Sequence, residues 1–441
     1  MNTINLRLFK DQKLSNYSIW HPYANICKCN DVQIELVRGK GIYVYDSNNK
    51  EYIDAASGLW NVSLGYDNEH IINSIKTQLD RLPYCSLFDY TNKTAITAAN
   101  MILSEVGENM QKIFYTCSGS ESIELALKLA RKYWRLLGYY EKQGVLSIKE
   151  SYHGTYYGSM GVSGCEEDYY YEFGNENETI FLRYIDENES FSEDTVQDIK
   201  EIIDKNHDKI ACIVIEPILA SEGVKVINPL YLQWLESFCR KKDILIIIDE
   251  IALGFYRTGT NFYYKQIKLS PDFLCISKGI NSGYLPIGAV AISKKIYKVY
   301  YELNDFIAHG STQGGNLISC AACIASIEEY KTRNIEENVN DISIYLKKRI
   351  TECLFDHPNF NGVRGKGLML SIDLVNNRYQ KKFLSLREIG LIKSLFLENG
   401  LIVYSSRLGI TLLPMLIINR FEAEKIVFII ENVMKKSVFF K

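Results

Sequence analysis

Two side chains in this 441-residue sequence have the type and setting for covalent chemistry, Asp249 and Lys278. The apolar, β-branched run Ile244–Ile248 reads as a buried strand and ends in Asp249-Glu250. Acids at the C-terminal end of such a strand lie where sites on α/β sheets form. A Gly-rich turn, Gly254–Gly259, follows, and a second short apolar run, Phe273–Ile276, leads into Ser277-Lys278-Gly279. A lysine directly after a buried strand and beside glycine is poorly placed for a solvated role. The arrangement suits a Lys278 amine that joins a carbonyl as a Schiff base, with Asp249 paired to a ring nitrogen. In the plainer alternative, Asp249-Glu250 closes a strand and Lys278 is a surface lysine.

Several other strand-like runs end in residues able to hold a ligand. Ile113–Thr116 is followed by Cys117-Ser118-Gly119-Ser120-Glu121 and a helical pattern of apolar residues at Ile123, Leu127, Ala130, Trp134 and Leu137. Small residues opening a helix offer free N–H groups and the positive end of the helix dipole, which suits a phosphate. They also serve as an ordinary N-cap. Val145–Ile148 leads to Tyr152-His153-Gly154, and Ile213–Ile215 leads to Glu216. Near the N-terminus, Ile42–Tyr45 and Tyr52–Asp54 flank a turn at 46–49 and read as a hairpin. Residues 165–209 are acidic and rich in Tyr and Asn, and read as surface excursion and helix. From Leu317 a long helical stretch begins. No internal repeat and no Pro/Gly/Ser linker divides the chain.

At 247–259 and 277–280 the sequence resembles the class III, fold-type I aminotransferases that use pyridoxal 5′-phosphate (PLP), and the likeness extends over nearly the whole chain. The resemblance implies that Lys278 carries the cofactor and Asp249 pairs with its pyridine nitrogen. It implies that Gly119 and Ser120 bind the phosphate, and that Tyr152 stacks on the ring. His153 becomes a structural histidine, and Glu216 lies near the cofactor. Thr312, within His309-Gly310-Ser311-Thr312, binds the phosphate of the neighbouring subunit's cofactor. That implies a homodimer with shared sites, or a tetramer built from it. Gly58-Leu59-Trp60 and Leu82–Phe88 are similar to the ω-transaminase branch, where Trp60 and Phe88 line the amine pocket. Tyr23, in Trp20-His21-Pro22-Tyr23, either lines the pocket or packs the arm. Two positions depart from the pattern. Ser221 stands where ornithine- and γ-aminobutyrate-handling relatives carry a second Glu. Thr411 stands where many relatives carry the Arg that clamps a substrate carboxylate, and Arg407 is the candidate replacement.

The fold expected is therefore α/β. Residues 55–315 would form a large PLP-binding domain with a mostly parallel, seven-stranded sheet between helices. Residues 1–54 would form an arm and part of a smaller α+β lobe completed by 316–441. Hydrophobic content of 47% suits a large core, and a net charge of −3 gives no basic field for nucleic acid or an anionic membrane. No apolar run approaches the ~20 residues that span a bilayer, and Met1–Lys13 lacks the apolar core of a secretory signal. Eleven scattered cysteines fit reduced thiols in a cytoplasm, and Cys320-Ala321-Ala322-Cys323 fits helix packing better than metal. The expected activity is ping-pong transfer of an amino group from a primary amine or amino acid to a keto acid, aldehyde or ketone. The same scaffold also serves decarboxylating and racemising relatives, tailoring enzymes acting on peptide or natural-product carbonyls, and non-catalytic PLP binders.

Overall fold

The computed structural model describes residues 18–23, 34–165, 172–173, 179–377, 379 and 381–436. Its centre is a seven-stranded sheet. In chain order the strands are β1 (Met110–Thr116), β2 (Gly144–Ile148), β3 (Thr179–Leu182), β4 (Ile210–Ile215), β5 (Leu245–Asp249), β6 (Phe273–Ile276) and β7 (Gly288–Ser293). The spatial order is β1-β7-β6-β5-β4-β2-β3. From β6 to β3 every pairing is parallel, and β7 alone runs against its neighbours.

The apolar runs are continuous because both faces of the sheet are covered. Ile246 and Ile248 of β5 join one core cluster with Ile213 and Ile215 of β4, while Leu245 and Ile247 join another with Cys212 and Val214. The helix Gly119–Leu136 packs on the second face through Ile123, Leu127, Ala130 and Trp134. Cys320 and Cys323 are free and buried in the helix Leu317–Thr332. Two strands escaped the sequence pattern. β3 lies within the acidic stretch read as surface, and β7, Gly-Ala-Val-Ala-Ile-Ser, mixes small residues with few β-branched ones.

A second body is built from distant parts of the chain. Leu36–Lys40, Tyr43–Asp46 and Glu51–Asp54 form an antiparallel meander, with the turn where the sequence places it. Leu401–Ile402 adds to it in parallel, pairing Leu401 with Ile53. A four-stranded antiparallel sheet combines Phe360–Lys366, Met369–Leu374, Gly409–Leu412 and Tyr404–Ser406, in that order. Arg257 fastens this sheet to the large one. It is 2% exposed, donates to the Leu368 carbonyl at 3.0 Å and the Pro414 carbonyl at 2.5 Å, and reaches the Ser57 hydroxyl at 3.4 Å. Burial lowers its pKa to about 10. Among the described residues no helix is long and apolar enough to cross a membrane, and no cluster of His, Cys, Asp or Glu is arranged to hold a metal.

Candidate active site

Parallel strands deliver their C-terminal ends to one edge, and the sheet order decides what meets there. β2 leads to Tyr152 and His153, β4 to Glu216, β5 to Asp249 and β6 to Lys278. These four strands are consecutive neighbours. The start of the helix Gly119–Leu136 arrives beyond antiparallel β7, where Gly288 lets Thr116 approach: a Cβ there would lie 2.5 Å from the Thr116 hydroxyl oxygen. The result is a cavity of about 140 Å³ lined by Trp60, Gly119, Ser120, Tyr152, His153, Gly154, Glu216, Asp249, Ile251, Ala252, Ser277 and Lys278. A larger hollow of about 620 Å³ lies between β1 and the helix Lys294–Glu302 and shares none of these residues.

Lys278 has a left-handed backbone, φ 42°, and its amine lies 5.0 Å from the Trp60 ring. No carboxylate pairs with it among the described residues. Burial lowers its pKa, and the fields of Asp249 and Glu216 offset that only in part. Asp249 is 4% exposed. Its Oδ1 accepts the Ile251 N–H at 3.0 Å, and its Oδ2 meets His153 Nδ1 at 2.7 Å. With Asp249 ionised, Nδ1 is the donor. His153 Nε2 is buried without a partner. Glu216 accepts the Tyr152 N–H at 3.1 Å and the Ala220 N–H at 3.2 Å. Burial, then the charge of Asp249, pushes its pKa up to about 8.

At the helix start, Ser118 caps the Glu121 N–H at 3.2 Å. The N–H groups of Gly119 and Ser120 belong to the first turn and have no intrahelical acceptor. The Ser120 hydroxyl accepts the Thr155 N–H at 3.3 Å. Gly154, at φ 120°, passes so close that a Cβ would collide with the Ser120 hydroxyl. Trp60 is 5% exposed, at φ 62°, with its indole Nε1 unpartnered. Its ring meets Tyr404 edge-on at 5.0 Å. The Asp54 carboxylate holds the tight 57–60 turn, accepting the Ala56 N–H at 3.0 Å, the Gly58 N–H at 2.6 Å and the Tyr66 hydroxyl at 2.5 Å.

The remaining sequence candidates stand outside the cavity lining. Tyr23, largely exposed at φ 56°, shares a hydrogen bond with the Tyr152 phenol. Phe88 is 66% exposed and covers Gly310. Thr312 is exposed, and its carbonyl accepts the Tyr84 hydroxyl at 2.8 Å. Arg407 is exposed at the turn between Tyr404–Ser406 and Gly409–Leu412. The contact that sequence reasoning missed is His153 with Asp249, 96 residues apart. The Tyr-His-Gly run after a strand was the available signal, but its partner is set by strand order.

A sheet edge with this donor set defines a fold-type I PLP enzyme, and comparison with known proteins identifies the class. The chain matches the class-III aminotransferase family over residues 27–434 and belongs to it. It is 31% identical to adenosylmethionine-8-amino-7-oxononanoate aminotransferase of Staphylococcus aureus, over 97% of this chain and 96% of that one. It is 32% identical to vanillin aminotransferase of Capsicum annuum, over 78% of each. A PLP-bound amine transaminase from an uncultivated Pseudomonas species superposes with a TM-score of 0.89 at 27% identity, covering 96% of this chain and 100% of that one. The protein is thus a PLP-dependent aminotransferase. Its residues fit the cofactor: an unpaired buried amine, an acid beside it, and a helix start pressed close by Gly154.

Proposed function

We propose that Lys278 and Asp249 are the catalytic pair of a ping-pong transaminase whose donors are primary amines. The observation that carries this reading is the buried, unpaired Lys278 amine in one cavity with the Asp249–His153 pair. PLP, when bound, supplies a carbonyl that exchanges amines and a ring that takes up electron density. Lys278 would hold it through its amine. The Lys278 amine would move the proton on the substrate carbon, and its lowered pKa suits that base. Asp249 keeps a proton on the ring nitrogen, and His153 holds the Asp249 carboxylate in place. The first N–H groups at Gly119 and Ser120 receive the phosphate. Tyr152 covers the ring, and Glu216 fixes the Tyr152 backbone.

Trp60 and Tyr152 form the apolar wall of the donor pocket, and Tyr23 closes it through its bond to Tyr152. Thr411 gives this wall no cation: it is fully buried and its hydroxyl has no partner. Amines without an α-carboxylate are therefore donors at least as good as α-amino acids. The names of two relatives, for vanillin and for 8-amino-7-oxononanoate, agree with carbonyl partners other than α-keto acids. The protein works as a homodimer in which Thr312 and Phe88 complete the neighbouring site. Neither residue lines the cavity of its own chain, which supports this.

Three measurements test the reading. Borohydride reduction of the yellow holoenzyme fixes the label on Lys278, and a label on another lysine refutes the assignment. An arylalkylamine matches or exceeds alanine in kcat/KM; a strong preference for alanine that survives Arg407→Ala refutes the pocket. Mixing Lys278→Ala with a Thr312 variant that cannot hold phosphate restores part of the activity. Heterodimers that stay inactive would place Thr312 in its own subunit's site.

A further inference from the structure

Trp60 stands between two anchors. Asp54 holds the turn that carries it, through the N–H groups of Ala56 and Gly58. The chain that follows Trp60 is held by the element that carries Lys278. Lys278–Asn281 forms one 3-10 turn, and Ser282 closes it in the left-handed region, at φ 56° and ψ 30°. The Ser282 hydroxyl oxygen accepts the Ser63 N–H at 3.0 Å and the Leu64 N–H at 2.8 Å. All three residues are buried, Ser282 at 1% exposure. Among the described residues no backbone carbonyl accepts either N–H, so both depend on this one oxygen.

The neighbours of Ser282 grip the same stretch. Gly283 passes Asn61 so closely that a Cβ would lie 3.0 Å from its Nδ2. The Tyr284 phenol donates to the Gly65 carbonyl at 3.0 Å and accepts the Asn68 N–H at 2.8 Å. The Tyr330 phenol donates to the Gly279 carbonyl at 2.7 Å and shares a hydrogen bond with the Ser63 hydroxyl. Residues 61–68 are thus docked on 279–284. Trp60 and Lys278 each stand one residue ahead of the docked stretch, with the amine 5.0 Å from the ring.

We propose that Ser282 is a positioning residue that clamps the Trp60 wall to the Lys278 turn and thereby sets the affinity for ring-bearing amines. The inference rests on the transaminase reading of the cavity and adds the residue that fixes the spacing of its wall. Aromatic rings in contact keep their centroids about 4.5–7 Å apart. A donor whose nitrogen stands where the Lys278 amine does can lay its ring against Trp60 only while that wall keeps its place. Without the clamp the wall is held from one side alone. The ring then loses its contact surface, and the groups that handle the proton, Lys278 and Asp249, stay where they are.

The experiment uses Ser282→Gly in the full-length protein. Glycine adopts φ 56° without strain, so the variant removes the hydroxyl and spares the turn. Tyr284→Phe, which removes one phenol oxygen, is the second variant should the first fail to fold. Hydrogen exchange read by mass spectrometry, with and without PLP, speeds up at least tenfold at residues 61–66 in Ser282→Gly and at 65–70 in Tyr284→Phe. The helix Gly119–Leu136 exchanges as in the wild type. In the PLP-loaded enzyme, the half-reaction with benzylamine is followed by cofactor absorbance. Ser282→Gly raises the apparent Kd for benzylamine at least tenfold and leaves the limiting rate within threefold, and Tyr284→Phe raises the Kd at least threefold. Unchanged exchange at these residues, or faster exchange throughout the chain, overturns the clamp. An unchanged Kd, or a loss confined to the limiting rate, overturns the role in amine affinity. A wild type that reacts with other amines and not with benzylamine overturns that role as well. A holoenzyme whose absorbance no amine changes refutes the transaminase reading itself, while the exchange result still decides the clamp.

Discussion

Asp249→Asn separates charge from shape at the centre of the site. Asparagine keeps an Oδ1 acceptor for the Ile251 N–H at 3.0 Å, so the loop after β5 retains its turn. The second carboxylate oxygen, 2.7 Å from His153 Nδ1, becomes an amide nitrogen. Two donors then face each other unless the imidazole moves its proton to Nε2, which is buried and has no acceptor. The variant thus loses a charge-assisted hydrogen bond, worth about 1.5–3 kcal/mol. It also loses the negative charge that, in the proposed role of Asp249, would hold a proton on the cofactor ring. Together these raise the barrier by about 3–4 kcal/mol, on the order of 10²–10³-fold in rate. The assay is kcat by stopped-flow absorbance of the cofactor, with cofactor affinity measured separately by fluorescence quenching. Cofactor affinity should change far less than kcat, because the helix N-terminus is untouched. A kcat within fivefold of wild type, with cofactor bound, would mean that another group protonates the ring and that the Asp249–His153 pair is structural.

Three other outcomes follow from the same geometry. Lys278→Met in the cofactor-free protein is more stable than wild type near pH 6.5. Burial lowers the folded-state pKa of Lys278, so the unfolded chain binds more protons, and wild-type stability climbs as pH rises toward the free-lysine value. Urea midpoints at pH 6.5 and 9.5 should show the variant's advantage shrinking, and a constant advantage would contradict the sign. Gly154→Ala weakens cofactor binding at least tenfold while circular dichroism is unchanged, since the added methyl drives Ser120 from the helix start and the backbone is left-handed. Unchanged affinity would show that the phosphate site does not depend on that close approach. Arg257→Met costs about 2–4 kcal/mol in urea unfolding, because it strands the carbonyls of Leu368 and Pro414 without a donor; a loss below 1 kcal/mol would mean water replaces the guanidinium.

The legible parts of this sequence were those whose signal is local. β5 and β6 were readable because burial on both faces demands an unbroken apolar run, and the chemistry follows directly at their ends. The helix beginning at Gly119 was readable from its small residues and its 3.6-residue periodicity. β3 and β7 were not. β3 is an edge strand of four residues, with partly exposed Thr179, Ile180 and Phe181, and β7 packs small residues where helices come close. The support of Asp249 by His153 and of Tyr152 by Glu216 depends on which strands are neighbours, and no local pattern carries that.

The two-ended origin of the second body bears on when the site comes into being. Every residue lining the cavity lies between Trp60 and Lys278, and the seven strands are all synthesised once Ser293 has emerged. Yet the turn carrying Trp60 hangs on chain made much later. The Ser57 hydroxyl donates to the Leu413 carbonyl at 2.5 Å, the Leu413 N–H donates to the Ala55 carbonyl at 2.8 Å, and Ile53 pairs with Leu401. A ribosome-bound chain stopped at residue 300 would own every wall of the pocket without the means to hold one of them. Loss of the chain from Leu401 onward, by nonsense mutation or protease, would therefore silence the enzyme far from its chemistry.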